Sequence, residues 1–222
     1  MKTYAFIDAS NLFYGGEKSL GWKIDYKKLL KYLKRKYRVN KAFYFGGVET
    51  HGFKYDYLKD ETVSIRNLEK YLRGYIRRNA KRLNEASLVL ISRHLQRVRF
   101  YFKLQEFGYK LFLKPVKTYF KGNDQIERKA NCDVDMTFYL MRDKDFFDRV
   151  VILSGDGDFL TVLKYLRKIG KEVIILARGP RTAREIRLFA GSNFRDFVRL
   201  EKEIKFVSKI KRSGHTKYPL HV

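Results

Sequence analysis

Val150-Val-Ile-Leu-Ser-Gly-Asp-Gly-Asp-Phe159 decides the fold. Four consecutive aliphatic residues, Val150 to Leu153, read as a short strand buried on both faces. Ser154-Gly-Asp-Gly-Asp158 stops it, and helical spacing resumes from Thr161 to Lys168. Asp156 and Asp158 therefore stand where a strand hands over to a helix. In an open α/β sheet, ligands bind outside the carboxyl ends of the strands. Paired acids pack poorly and coordinate hard cations well.

Working outward, the same pattern recurs. Ala5 to Ile7 is a short apolar strand with Asp8 at its end and Asn11 three residues later. Asp25 has the position of an N-cap for a helix over Tyr26 to Tyr37, with Leu29, Leu30 and Leu33 as its apolar stripe. Lys41 to Phe45 is a second strand, closed by Gly46-Gly47. This β-α-β order implies a parallel pair with a right-handed crossover. Helical patterns follow at Ser64 to Leu83 and Leu95 to Phe107. A third strand is expected over Tyr109 to Val116, then a polar, mobile stretch from Tyr119 to Asn131. Cys132 to Met141 reads as a helix with Asp133 and Asp135 in its first turn, where the helix dipole favours acids whatever else they do. After the organising strand comes a helix over Phe159 to Ile169, capped by Gly170. Lys171 to Leu176 is the fifth strand, Ala183 to Phe189 a short helix, and Phe194 to Val198 a candidate last small strand.

The chain has 222 residues, of which 45% are hydrophobic, enough for one large domain with a real core. We divide it into a domain over residues 1–200, with a basic, mainly helical insertion at about 49–107, and a basic tail over 201–222. The longest apolar runs fall short of a membrane span. Met1-Lys-Thr-Tyr4 leads straight into a strand rather than a signal peptide, so a cytoplasmic location is expected. A single cysteine, Cys132, excludes an internal disulfide and a cysteine-built zinc site.

Charge is the strongest compositional feature: 49 Lys plus Arg against 24 Asp plus Glu, a formal net charge of +25. Such an excess favours polyanionic partners, nucleic acid above all. Thermal adaptation also enriches lysine, but it raises glutamate alongside, and here the acids lag. Between Arg66 and Lys103 there are eleven Lys or Arg and two Glu, with Tyr71, Tyr75, Phe100, Tyr101 and Phe102 interleaved. A basic helical arm with exposed aromatics suits a strand of RNA or DNA, and Arg73, Arg77 and Arg78 are its candidate contacts. The competing reading is a solvated helix face with its aromatics in the core. Lys121, Arg128 and Lys129 place the 119–131 stretch at the border of the site.

The acids add up. If the first and fourth strands are neighbours at the switch in strand order, Asp8, Asp133, Asp156 and Asp158 converge on one crevice. Carboxylates that close repel each other unless a cation neutralises them. Oxygen donors without His or Cys point to Mg²⁺ or Mn²⁺, and an acidic pocket ringed by Lys and Arg fits phosphodiester chemistry. No Walker lysine loop and no G-x-S-x-G is present. The four histidines (His51, His94, His215, His221) show no pairing pattern.

Phe6-Ile-Asp-Ala-Ser-Asn11, Cys132-Asp-Val-Asp-Met136 and Leu153-Ser-Gly-Asp-Gly-Asp-Phe159 resemble the three motifs of NYN domains, a PIN-like nuclease group with LabA-type members. Order and spacing match across about residues 3–200. The resemblance implies a Rossmann-like three-layer α/β sandwich around a mainly parallel five-stranded sheet, order 3-2-1-4-5. It also implies a metal-dependent ribonuclease. Carried over by position, Asp8, Asp133, Asp156 and Asp158 form the acidic cluster. Asn11 holds the first loop or touches substrate, Ser154 touches the metal shell or phosphate, and Asp135 is a substitute for Asp133 in the same turn. Two positions depart from the pattern: Tyr139 and the region of Ser192 stand where many relatives carry Asp. These departures sustain an alternative, a catalytically weak NYN-type module that binds RNA or a protein. The sequence leaves RNA against DNA, and a homodimer, open.

Overall fold

The computed structural model describes residues 1–13, 18–121 and 125–207, with backbone alone for 119–121 and 125–129. In chain order the elements are β1 (Thr3–Asp8), α1 (Ala9–Asn11), α2 (Lys18–Leu20), α3 (Tyr26–Tyr37), β2 (Val39–Val48), α4 (Ile65–Asn79), α5 (Glu85–Phe107) and β3 (Tyr109–Pro115). Then follow β4 (Lys117–Lys121), β5 (Gln125–Lys129), α6 (Asp133–Arg142), β6 (Arg149–Leu153), α7 (Leu160–Lys168), β7 (Glu172–Ala177), α8 (Arg184–Ala190), β8 (Phe194–Asp196) and α9 (Glu201–Ile204).

The class is the α/β sandwich expected, with β1 and β6 adjacent at the switch in strand order. The sheet runs β3-β2-β1-β6-β7-β8, and every pairing in it is parallel. It has six strands rather than five, because Phe194–Asp196 pairs with Ile175–Ala177 and extends the sheet by one short edge strand.

Both faces are covered, which is why the central strands read as unbroken apolar runs. Ile7, Tyr44, Val151 and Leu153 face α3, α4 and α5, while Phe6, Phe43, Phe45, Val150 and Ile152 face α6, α7 and α8. Local signals set the helix starts. Asp25 accepts the Lys28 amide at 3.0 Å, and Ser64 accepts the Asn67 amide at 3.4 Å.

Three local expectations are corrected. β2 does not stop at Gly46 but runs on to Val48. The glycines are there for close approach: a Cβ on Gly46 would meet Ala9 Cβ at 3.0 Å, and one on Gly47 would meet Ala130 Cβ at 2.7 Å. The polar stretch from 119, for which the sequence suggests no strand, holds part of the antiparallel pair β4-β5. The aromatics of the basic arm pack against the core, Tyr101 completely and the others in part, rather than standing free on the surface. Tyr101 is 1% exposed and donates its hydroxyl to Gly47 O at 2.6 Å, while Tyr71, Tyr75, Phe100 and Phe102 pack on the apolar cluster. Burying rings outweighs exposing them wherever a sheet face is available.

Residues 49–107 comprise a loop, α4 and α5, and α5 is the crossover that delivers β3. Its 23 residues rise about 34 Å, against about 23 Å for the seven residues of β3. With Tyr101 level with Gly47, the first turns of α5 and the α4 packed on them extend past the carboxyl ends of the strands. Leu88, Val89 and Leu90 are exposed on that extension. On the same face of the sheet, α9 packs on α3, Arg35 pairs with Glu203, and the Phe206 amide donates to Lys23 O at 2.8 Å. The rest of the basic tail, 208–222, lies outside the described residues.

Candidate active site at the strand ends

Asp8 closes β1 and is 5% exposed. One carboxylate oxygen, Oδ1, accepts from Ser10 N at 3.0 Å, Ser10 Oγ at 2.6 Å and Asn11 N at 3.1 Å. The other, Oδ2, accepts from Ser154 Oγ at 3.1 Å. Ser154 is 2% exposed, and its Oγ also accepts the Asp156 amide at 3.2 Å. Asn11 Oδ1 accepts the Gly155 amide at 3.0 Å. Two independent links thus join the loop after β1 to the loop after β6. Asp156 Oδ1 accepts the Asp158 amide at 3.0 Å and caps the 3-10 turn over Gly157–Phe159.

The loop after β7 seals this arrangement. The Ala183 amide donates to Gly155 O at 2.9 Å. A Cβ on Gly155 would stand 2.6 Å from Thr182 Oγ1 and 2.9 Å from Thr182 Cα, so only glycine fits there.

The α6 helix lies on the same face as α7 and α8 and packs on the 157–159 turn. Asp133 and Asp135 both lie in its first turn, beside the buried N-cap residue Cys132. Burial chiefly, then the charges of Asp135, Asp8 and Asp133, push the Cys132 thiol up to about 12. One thiol therefore feels both the β1 acid and the α6 acids. Asp135 is turned to Lys114 at the end of β3, 3.0 Å away. Partial burial works against the Lys114 ammonium, but the Asp135 hydrogen bond and charge outweigh it and hold its pKa above the ordinary value.

The structure brings together Asp8, Asn11, Ser154, Asp156 and Asp158 by hydrogen bonds, with Asp133 at the facing helix start. Arg73 is paired with Glu69 on α4 at 2.7 Å, and Arg77 and Arg78 are exposed on the last turn of the same helix. The Lys129 side chain lies outside the described residues. The two departures from the family pattern lie in different surroundings. Tyr139 packs on Phe45 and Phe112 and donates to Glu61 Oε2 at 2.7 Å, so it belongs to the core beneath β2 and β3. Ser192 precedes β8 at the amino end of the sheet, opposite the acids.

Two acids escaped the sequence reading. Glu185 holds Oε1 where a Cβ on Gly157 would come within 2.5 Å, so its carboxylate overlies the Asp156–Asp158 turn. Its one sequence signal is the Thr182-Ala-Arg-Glu185 spacing of a helix start. Asp196, at the carboxyl end of β8, accepts from Arg178 at 3.2 Å and the Gly179 amide at 3.0 Å.

The donors are all hard carboxylate and hydroxyl oxygens, the set that suits Mg²⁺ or Mn²⁺. Their spacing is looser: among the described residues, no three His, Cys, Asp or Glu side chains stand close enough to hold a metal ion together. Among those same residues, no helix is long and apolar enough to cross a membrane.

The LabA protein of Synechococcus elongatus, named for low amplitude and bright, is 24% identical over 188 residues, covering 82% of this chain and 76% of its own. A crystal structure of a protein of unknown function from Vibrio parahaemolyticus shares the fold. Its TM-score is 0.56 at 16% identity, over 92% of this chain and 96% of that one. The D15 protein of bacteriophage T5, co-crystallised with metal ions, reaches a TM-score of 0.43 at 14% identity, over 84% of this chain and 59% of that one, too low to carry weight. The NYN domain model matches residues 2–197, and the chain belongs to the NYN domain family.

Proposed function

We propose that this NYN domain is an endoribonuclease that hydrolyses RNA phosphodiester bonds with a divalent metal, Mg²⁺ or Mn²⁺. One observation carries the reading: Asp8 and the Asp156 loop, 148 residues apart in sequence, are joined through the single hydroxyl of Ser154 at the strand ends. That is where an open α/β sheet presents its chemistry. Asp8, Asp133, Asp156 and Asp158 would hold the cation. When bound, the cation lowers the pKa of a water and offsets charge developing on the scissile phosphate.

The remaining work falls to the chain itself. Ser154 donates to Asp8 Oδ2 and orients that carboxylate. Asn11 holds the two loops at fixed separation. Arg73, Arg77, Arg78 and Lys129 belong to the basic surroundings that draw in the phosphate backbone. Residues 1–200 form the acting unit in this reading, with 49–107 as its substrate-facing segment.

A second reading has its own support. Among the described residues no three acids stand close enough to hold one ion together, and Asp135 is paired with Lys114 at 3.0 Å. That favours an NYN-type module that binds RNA or a protein without cutting.

Labelled single-stranded RNA incubated with Mn²⁺, with EDTA and with Asp8→Asn separates the two. The nuclease reading expects cleavage with Mn²⁺, none with EDTA, and a loss of about 10²-fold or more in the variant. RNA retained on the protein with no cleavage under any condition would replace it with the binding module.

A further inference from the structure

Between α1, the start of α3 and the middle of α5 lies a cavity of about 770 Å³, within the size range of ligand pockets. Phe13, Tyr26 and Phe100 line it, each half-buried, with Tyr26 and Phe100 edge to face at 5.1 Å. Lys23, Lys27 and Arg97 share the lining and are exposed. The Arg97 guanidinium lies 5.9 Å from the Phe100 ring centroid. The acid of the lining, Asp25, accepts the Lys28 amide as the α3 cap. Ser10 also lines the cavity, and its hydroxyl donates to Asp8 Oδ1 at 2.6 Å. The cavity therefore opens one side chain away from the β1 acid.

The chemistry of this lining selects its occupant. An apolar molecule would use the rings and leave Lys23, Lys27 and Arg97 facing it, beside a fourth cation of the lining, Lys103, that is paired with Glu106. A free phosphate would use the cations and leave the rings idle. A nucleotide satisfies both, because every base has a face to stack and a phosphate to pair. We propose that the cavity is a nucleotide subsite. It takes one base of a single-stranded nucleic acid against Phe13, Tyr26 and Phe100, and the adjoining phosphate on Lys27 and Arg97. Its position beside the bond to be cut rests on the nuclease reading, whereas its occupancy does not.

The test uses the full chain in EDTA with a short fluorescein-labelled single-stranded RNA, and with the deoxy oligomer of the same sequence. Lys27→Gln with Arg97→Gln changes two exposed side chains, and circular dichroism confirms the fold. Binding of either oligomer is expected to weaken about tenfold. A photoreactive thiouridine in the RNA is expected to cross-link to the peptides holding Phe13, Tyr26 or Phe100. Unchanged affinity in the double variant, or adducts confined to α7 and α8, would overturn the subsite. Binding and cross-links intact without cleavage would overturn the nuclease reading and leave the subsite standing.

Discussion

Ser154 does more than any other single side chain to make the candidate site one unit. Its hydroxyl donates to Asp8 and accepts from the Asp156 amide, in a setting only 2% exposed. Ser154→Ala removes a donor from a buried carboxylate and an acceptor from a backbone amide. The expected cost is about 1–3 kcal/mol in urea denaturation. In the nuclease reading, cleavage falls more steeply than stability accounts for, because Asp8 loses its orientation. Equal stability in variant and parent would mean that water replaces the hydroxyl and that the bridge is incidental. The acids themselves were legible at this scale: Asp8, Asp156 and Asp158 follow apolar runs that read as strands. Glu185 was not, since an exposed glutamate on a seven-residue helix looks like any solvated charge until the fold lays it over Gly157.

At the level of elements, legibility followed periodicity. Helix α3 was readable to the residue because a cap, an apolar stripe and a polar face agree. Helix α5 starts at Glu85, ten residues before the pattern suggested. Leu88, Val89 and Leu90 are consecutive and exposed on it, so they show no helical spacing. The extension of α4 and α5 past the strand ends gives the basic surface a place to act. Charge reversal at Arg73, Arg77 and Arg78 together is expected to weaken RNA binding. It should also flatten the salt dependence by about 0.7 in log-log slope for each phosphate that the variant no longer neutralises. Filter binding between low and physiological salt measures this. An unchanged slope would reduce the extension to a solvated face, with Arg73 doing no more than pairing with Glu69.

Over the whole molecule, a net charge of +25 acts against compactness. Raising ionic strength from about 0.01 to 0.15 M shortens the Debye length from about 30 to 8 Å and screens that repulsion. The melting temperature should therefore rise with sodium chloride, by about 2–4 °C for each kcal/mol relieved. A calorimetric series in salt, without nucleic acid, checks it. A falling midpoint would mean that ion pairs such as Arg149–Glu172 and Arg178–Asp196 outweigh the excess charge.

The sequence by itself determined the strands of the main sheet, most helix starts, the parallel α/β class and the acids at the ends of β1 and β6. These are local properties: an apolar run, a cap residue or a charge at a run's end is written in consecutive residues. The tertiary structure decided what the acids touch. It joined Asp8 to Asp156 through Ser154, turned Asp135 to Lys114, and laid Glu185 on the Gly157 turn. It also packed the aromatics of the basic segment on the core, Tyr101 fully and Phe100 in part, and left a cation-lined cavity beside Ser10. Each of those outcomes depends on which helix face meets which sheet face, and side chains far apart in the chain set that packing together.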